Sequence, residues 1–208
     1  PGILAVHGYI NSREVQSSFA IELARRGYVV LALDQGGHGH SDPPAFAEGF
    51  GGPGGLRYLR SLAFVDTDNI GLSGHSMGGW TIQAAAAALP DGYRAMVLQG
   101  SSTGSGYAAP GTPDNPRNLA VIFAQYDEFA PLMWEVARGL DVAESEKLQD
   151  VFGTDEPIVE GRVYGSIAAG TGRILNSPPV THPGTHLSHA AVRHTIDWFD
   201  RTLEGGTP

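Results

Sequence analysis

Five short runs of almost unbroken apolar residues alternate with longer stretches of helical period, and this alternation narrows the possible folds more than any other feature of the chain. "GILAVHG" (2–8) reads as a buried strand, "REVQSSFAIELARRG" (13–27) as an amphipathic helix ended by Gly27, and "YVVLALD" (28–34) as a second buried strand. The pattern recurs with the strand "NIGLSG" (69–74), the alanine-rich helix "TIQAAAAALP" (81–90) stopped by Pro90, and the strands "YRAMVLQG" (93–100) and "NLAVIFAQYD" (118–127). Strands that are apolar throughout and separated by helices predict an α/β fold: a mostly parallel sheet, helices on both faces, right-handed crossovers. In such a sheet a ligand binds beyond the carboxyl ends of the strands.

The remaining stretches are less regular. Residues 101–118, rich in Gly, Pro, Ser and Asn, are expected to form an exposed loop within the domain, too short for a lid. Two short helices are expected around 131–139 and 144–153, then a final strand or strand pair within 162–176. "SHAAVRHTIDWFDRTL" (188–203) is a good amphipathic helix, with Ser188 as its N-cap and Ala191, Ile196, Trp198, Phe199 and Leu203 available for packing. The tract "GFGGPGG" (49–55) lacks the Lys-Ser/Thr ending of a phosphate-binding loop and is expected to be a flexible connection.

With 208 residues, 41% of them hydrophobic, the chain suits one domain spanning 1–208 with a sizeable core. No apolar run approaches the ~20 residues of a membrane helix, so no membrane segment is expected. The formal charge of −9 argues against a nucleic-acid partner. Without cysteine there is no disulfide, thiolate metal site or Cys nucleophile. The first residues carry no signal-peptide pattern, which leaves the compartment open. The sequence starts almost inside a strand, which leaves open whether leading strands or a targeting segment were removed or never existed.

Gly74-His75-Ser76-Met77-Gly78 is a G-x-S-x-G string set after a strand and before a helix, the context that gives this common string its meaning. A serine on so sharp a turn exposes its hydroxyl, and the following helix aims its N-terminal amides at developing negative charge. Simple chain reversal and phosphate binding are the ordinary alternatives for such a turn.

With "VHGY" (6–9), "DQGGHGHSD" (34–42), "SGHSMGGW" (73–80), "AQYDEFAP" (124–131) and "PPVTHPGTH" (178–186), the chain resembles the α/β-hydrolase family over nearly its whole length, as a member with minimal or no lid. The resemblance implies a Ser-His-Asp/Glu triad in the order nucleophile, acid, histidine, and most often the hydrolysis of a carboxylic ester or related acyl bond. It implies Ser76 as nucleophile, and it places one oxyanion donor at the amide of Met77 and the other at Tyr9, after the His7-Gly8 pair. Backbone must pass close to substrate at Gly8.

A serine hydroxyl needs an imidazole to take its proton and a carboxylate to orient that imidazole. Asp127, closing the strand "LAVIFAQY", is the leading acid, ahead of Glu128 and Asp155; Glu128 is handicapped because alternate positions at a strand end face different ways. His182 is preferred as base to His186, which could instead line the pocket, with His189 a third choice and His194 read as surface or packing. His75, Trp80 and Phe129 join Gly8, Tyr9 and Met77 as candidate substrate-binding residues, with Met133 and Trp134 as lining or core. "DQGGHGHSD" is read as a structural tie beneath the site; the alternative, a metal held by His38 and His40 with Asp34 or Asp42, lacks a third ligand, so no metal is expected. The predicted function is a cofactor-independent serine hydrolase acting on small-molecule or polymeric esters. A peptidase or amidase using the same triad, and a non-catalytic binding protein on this fold, are the competing readings.

Overall fold

In a computed structural model, which describes residues 1–43 and 46–206, the apolar runs become parallel strands. They are β1 (Gly2–Val6), β2 (Val29–Leu33), β3 (Ile70–His75), β4 (Ala95–Gln99), β5 (Leu119–Ile122) and β6 (Arg173–Asn176). Every pairing is parallel, in the order β2-β1-β3-β4-β5-β6. The chain runs outward from β1 to the edge strand β2, then returns past β1 to build β3 to β6 on the other side. The strand order therefore reverses between β1 and β3, where a crevice opens at the carboxyl ends.

Alternation along the strands sorts two apolar layers. Leu4, Val6, Leu72, Leu98 and Val121 face one side and pack with Leu56, Leu59, Ile82 and Ala85 from α2 (Gly52–Ser61) and α3 (Met77–Ala88). Ile3, Val97, Ala120 and Ile122 face the other, against Phe19 and Leu23 of α1 (Ser17–Ala24) and Ile196, Trp198 and Phe199 of α6 (His189–Thr202). Trp198 also donates its indole N–H to the Asn118 carbonyl at 2.8 Å. The Ser188 hydroxyl accepts from the Ala191 N–H at 3.2 Å, the expected cap of α6. Within the crossover from β5 to β6, α4 (Ala130–Trp134) and α5 (Glu146–Phe152) extend the first layer.

Several expectations are corrected. The tract 49–55 is no flexible connection: after a 3₁₀ segment at Phe46–Gly51 it starts α2, with Pro53 in the first turn where its missing N–H has no intrahelical role. Residues 13–27 open as a 3₁₀ turn, Arg13–Gln16, before α1. The helix expected at 81–90 begins four residues earlier, directly after Ser76. The 131–139 helix ends at Trp134 because Glu135 turns to φ 60°. Of 162–176 only β6 is a strand, with Tyr164 adding a single antiparallel bridge to Arg173. The 101–118 loop is exposed only in its later part; Ser101, Ser102 and Thr103 are buried.

Candidate active site

The nucleophile candidate owes its position to a backbone that few residues adopt. Ser76 sits between β3 and α3 at φ 53°, ψ −123°, held by its N–H to the Gln99 carbonyl of β4 (2.9 Å). A non-glycine residue at positive φ is strained, and the strain is held by the strand and helix on either side. The turn passes so close to β1 that a Cβ on Gly78 would lie 2.3 Å from the His7 carbonyl oxygen and 2.4 Å from that of Val6. That contact explains why the string needs glycine two residues beyond the serine.

The acid and base candidates come from adjacent strands. Beyond β5 and β6 the two chains stay paired: the Phe123, Gln125 and Tyr126 N–H groups donate to the Asn176, Pro178 and Val180 carbonyls, and Tyr126 bridges Thr181. Asp127 and His182 each follow one residue past that bridge. The His182 Nδ1–H donates to Asp127 Oδ2 at 2.8 Å, and Asp127 Oδ1 accepts from the Phe129 N–H at 2.9 Å. Both side chains are buried. The pair leaves the His182 Nε2 as the imidazole's second nitrogen, on a ring that lines the same cavity as Ser76. Gly100, at φ 53° after β4, stands behind the pair, with its Cβ position 2.9 Å from His182 Nδ1. Nothing but the glycine closing "VLQG" marked it in the sequence.

The other candidates sort by partner. Glu128 accepts from the His182 N–H (3.1 Å), so it holds the loop of the base and leaves the ring to Asp127. Asp155 is exposed and away from the cavity, and His189 is exposed at the start of α6, also away from it. His194 is half-buried on α6, away from the cavity. His186 is on the cavity wall, the place expected of it if it were not the base, and no carboxylate reaches it among the described residues. Both of its ring nitrogens are buried without a hydrogen-bond partner among the described residues. Burial, with the charge of His182 adding to it, pushes its pKa down to about 4.

His75 lies between the two, its ring centroid 4.6 Å from that of His182 and 3.9 Å from that of His186. Its Nε2–H donates to the His182 carbonyl at 3.1 Å. Full burial and the neighbouring imidazoles keep it neutral, well below the ordinary histidine range. Although it lines the cavity, its polar contact goes to the base's backbone.

The cavity, about 520 Å³, is walled by Gly8, Tyr9, Met77, Trp80, Phe129 and Met133, all expected, and by Ile10, Leu132 and Pro183, which the sequence reading missed. Trp134 belongs to the core, fully buried. Phe129 meets the His182 ring edge-on at 4.6 Å. Met77 opens α3, so its N–H has no intrahelical partner and the positive end of the helix points into the cavity. His7 is fully buried and satisfied: its Nδ1–H donates to the Gly8 carbonyl (2.7 Å) and its Nε2 accepts from the Gln35 N–H (3.1 Å). Asp34 ties the 34–42 loop, accepting from the Arg13 and His40 N–H groups, while the Ser41 hydroxyl donates to the Asp34 carbonyl. Among the described residues no three His, Asp or Glu side chains group as metal ligands, and no helix is long and apolar enough to cross a membrane.

A serine on a helix-capped turn and an imidazole bound to a buried carboxylate thus line one apolar cleft. Comparison with known proteins agrees with this architecture. A family model described as alpha/beta hydrolase fold matches residues 1–132. No curated protein matches the sequence. Among solved structures, the chain is similar to a predicted CIB-like hydrolase from Thermoplasma acidophilum (TM-score 0.66, 17% identity, 96% of this chain and 86% of that one). It is also similar to an esterase of Pyrococcus furiosus (TM-score 0.62, 17% identity, 98% and 83%) and to an esterase of a marine microorganism (TM-score 0.62, 14% identity, 95% and 94%). At these identities the likeness is one of fold.

Proposed function

The chain belongs to the α/β-hydrolase fold family, and from that premise we propose that it is a serine hydrolase cleaving carboxylic esters through an acyl-enzyme intermediate. One observation carries the reading: Ser76, held at positive φ, opens on the same cavity as an imidazole whose far nitrogen is bound to a buried carboxylate.

In this reaction the Ser76 hydroxyl attacks the acyl carbon while His182 Nε2 takes its proton. Asp127 fixes the tautomer with the proton on Nδ1 and stabilises the imidazolium that forms. The Tyr9 and Met77 N–H groups receive the oxyanion of the tetrahedral intermediate. His182 then returns the proton to the departing alkoxide, and water repeats the sequence to release the acid. The fold, the esterases among its structural neighbours and the apolar wall all support an ester over a charged substrate.

A fluorophosphonate probe tests the reading. Folded wild type should be labelled and Ser76→Ala should not, with p-nitrophenyl acetate hydrolysis lost in parallel. Absence of labelling on wild type with an intact melting transition, or labelling that persists in Ser76→Ala, would overturn it.

A further inference from the structure

We propose that the site is built for neutral esters with a long apolar acyl arm, and that the arm runs from Ser76 past Met77 and Trp80 into a groove ending between Phe50, Tyr107 and the 108–116 loop. The inference rests on the ester-hydrolase reading and adds the substrate class and its direction.

Continuity comes first. The 520 Å³ cavity at Ser76 shares Tyr9, Ile10, Met77 and Trp80 with a neighbour of about 700 Å³. That neighbour shares Phe46, Phe50 and Tyr107 with a third cavity of about 640 Å³ lying along the later turns of α3. Shared walls set the three side by side in one line, the path along which we place the acyl arm.

Its direction follows from the stereochemistry of attack. The carbonyl oxygen must point at the Tyr9 and Met77 amides, and the leaving oxygen must face His182 to collect its proton. The alcohol therefore occupies the wall of Phe129, Leu132 and Pro183 beside His182. The third substituent of the acyl carbon is left the opposite side, past Met77 and Trp80, which is where that path begins.

The walls select by polarity. Among the described residues no lysine or arginine lines any of the three cavities, and the one carboxylate, Glu128, is on the alcohol side. A carboxylate or phosphate on the acyl arm would lose its hydration without a partner. The apolar rim is open to solvent, with Phe46 78% and Ile10 80% exposed, surface that a bound chain would cover. The far wall is fixed in advance. Tyr107 shares a hydrogen bond with the Thr81 hydroxyl (2.7 Å), stacks on Phe50 (5.2 Å, 25°) and meets Trp80 edge-on (5.7 Å). A groove already ordered before binding spends little of the arm's burial on reorganisation.

Two homologous series test the proposal: p-nitrophenyl esters from acetate to decanoate, and acetates of alcohols from ethanol to octanol. In the acyl series kcat/KM should climb by up to about fourfold per methylene, the ratio for moving one CH₂ from water into an apolar site, before levelling off. The alcohol series should stay much flatter. Phe46→Glu and Ala109→Trp, both at exposed positions where folding is not at stake, should lower the decanoate-to-acetate ratio at least tenfold. A flat acyl series with good acetate turnover, a steeper alcohol series, or a ratio unchanged in both variants would overturn the groove while leaving the hydrolase reading standing. No turnover in either series, with no fluorophosphonate labelling, would remove both.

Discussion

Replacing His186 by phenylalanine should remove one part of the protein's built-in sensitivity to acid. The wild-type imidazole is 8% exposed, tilted 46° against the His75 ring, and has neither nitrogen bonded among the described residues. In the unfolded chain it titrates at the ordinary 6.5, whereas burial and then His182 hold it at about 4 in the fold. As the pH falls below 6.5 the unfolded chain binds this proton first, so the contribution to stability is intact above 6.5 and drains away between 6.5 and about 4. Across that interval the loss is about 1.4 kcal/mol per pH unit, in all about 3 kcal/mol. For a domain of this size that amounts to roughly 10 °C in Tm. His75 and His7 are also pushed down, chiefly by burial; His7 is common to wild type and variant, whereas His186 is the second cause of the His75 shift, so the variant eases that shift as well and the difference carries both. Phenylalanine fills nearly the same space and carries no proton. Urea midpoints taken at intervals between about pH 7.5 and about pH 4 should show the variant gaining on wild type only below about pH 6.5. Stability curves that run parallel over the whole range would refute the assignment of the buried, neutral state to His186.

Asp127→Asn should keep the fold and lower kcat by roughly 10³–10⁴-fold, because the amide favours the wrong tautomer of His182; steady-state kinetics beside circular dichroism would check it. Gly100→Ala places a methyl 2.9 Å from His182 Nδ1 at φ 53° and should reduce kcat at least tenfold while KM for a short ester stays the same. Arg173→Met should lower the urea midpoint by the equivalent of roughly 3 kcal/mol without altering KM. Arg173 is buried and donates, among the described residues, to the Val151, Gly172 and Thr112 carbonyls; the variant strips the Val151 carbonyl of its donor, while Gly172 and Thr112 keep the Leu119 and Asn115 N–H groups.

The sheet was legible because a strand buried on both faces must be apolar along nearly its whole length, as β1 and β5 are throughout and β4 is up to Gln99. Ser76 was legible because its turn constrains the residues on either side of it. The start of α2 was not, since glycine and proline signal a break until one sees that Pro53 sits in the one turn where proline is harmless. The choice between His182 and His186 was also beyond periodicity, because both follow the last strand closely. It depends on which ring meets a carboxylate delivered from another strand. Ile10 and Leu132 stayed hidden for a similar reason: isolated apolar residues in loops look alike whether or not they border a cleft.

The Tyr126–Thr181 bridge has an evolutionary consequence. The acid and base candidates are gauged against each other by neighbouring backbones, so the later part of the long excursion between them, residues 135–172, is uncoupled from their spacing. Lineages could lengthen, trim or redecorate that excursion to explore new chemistries of substrate while the proton relay stays in tune.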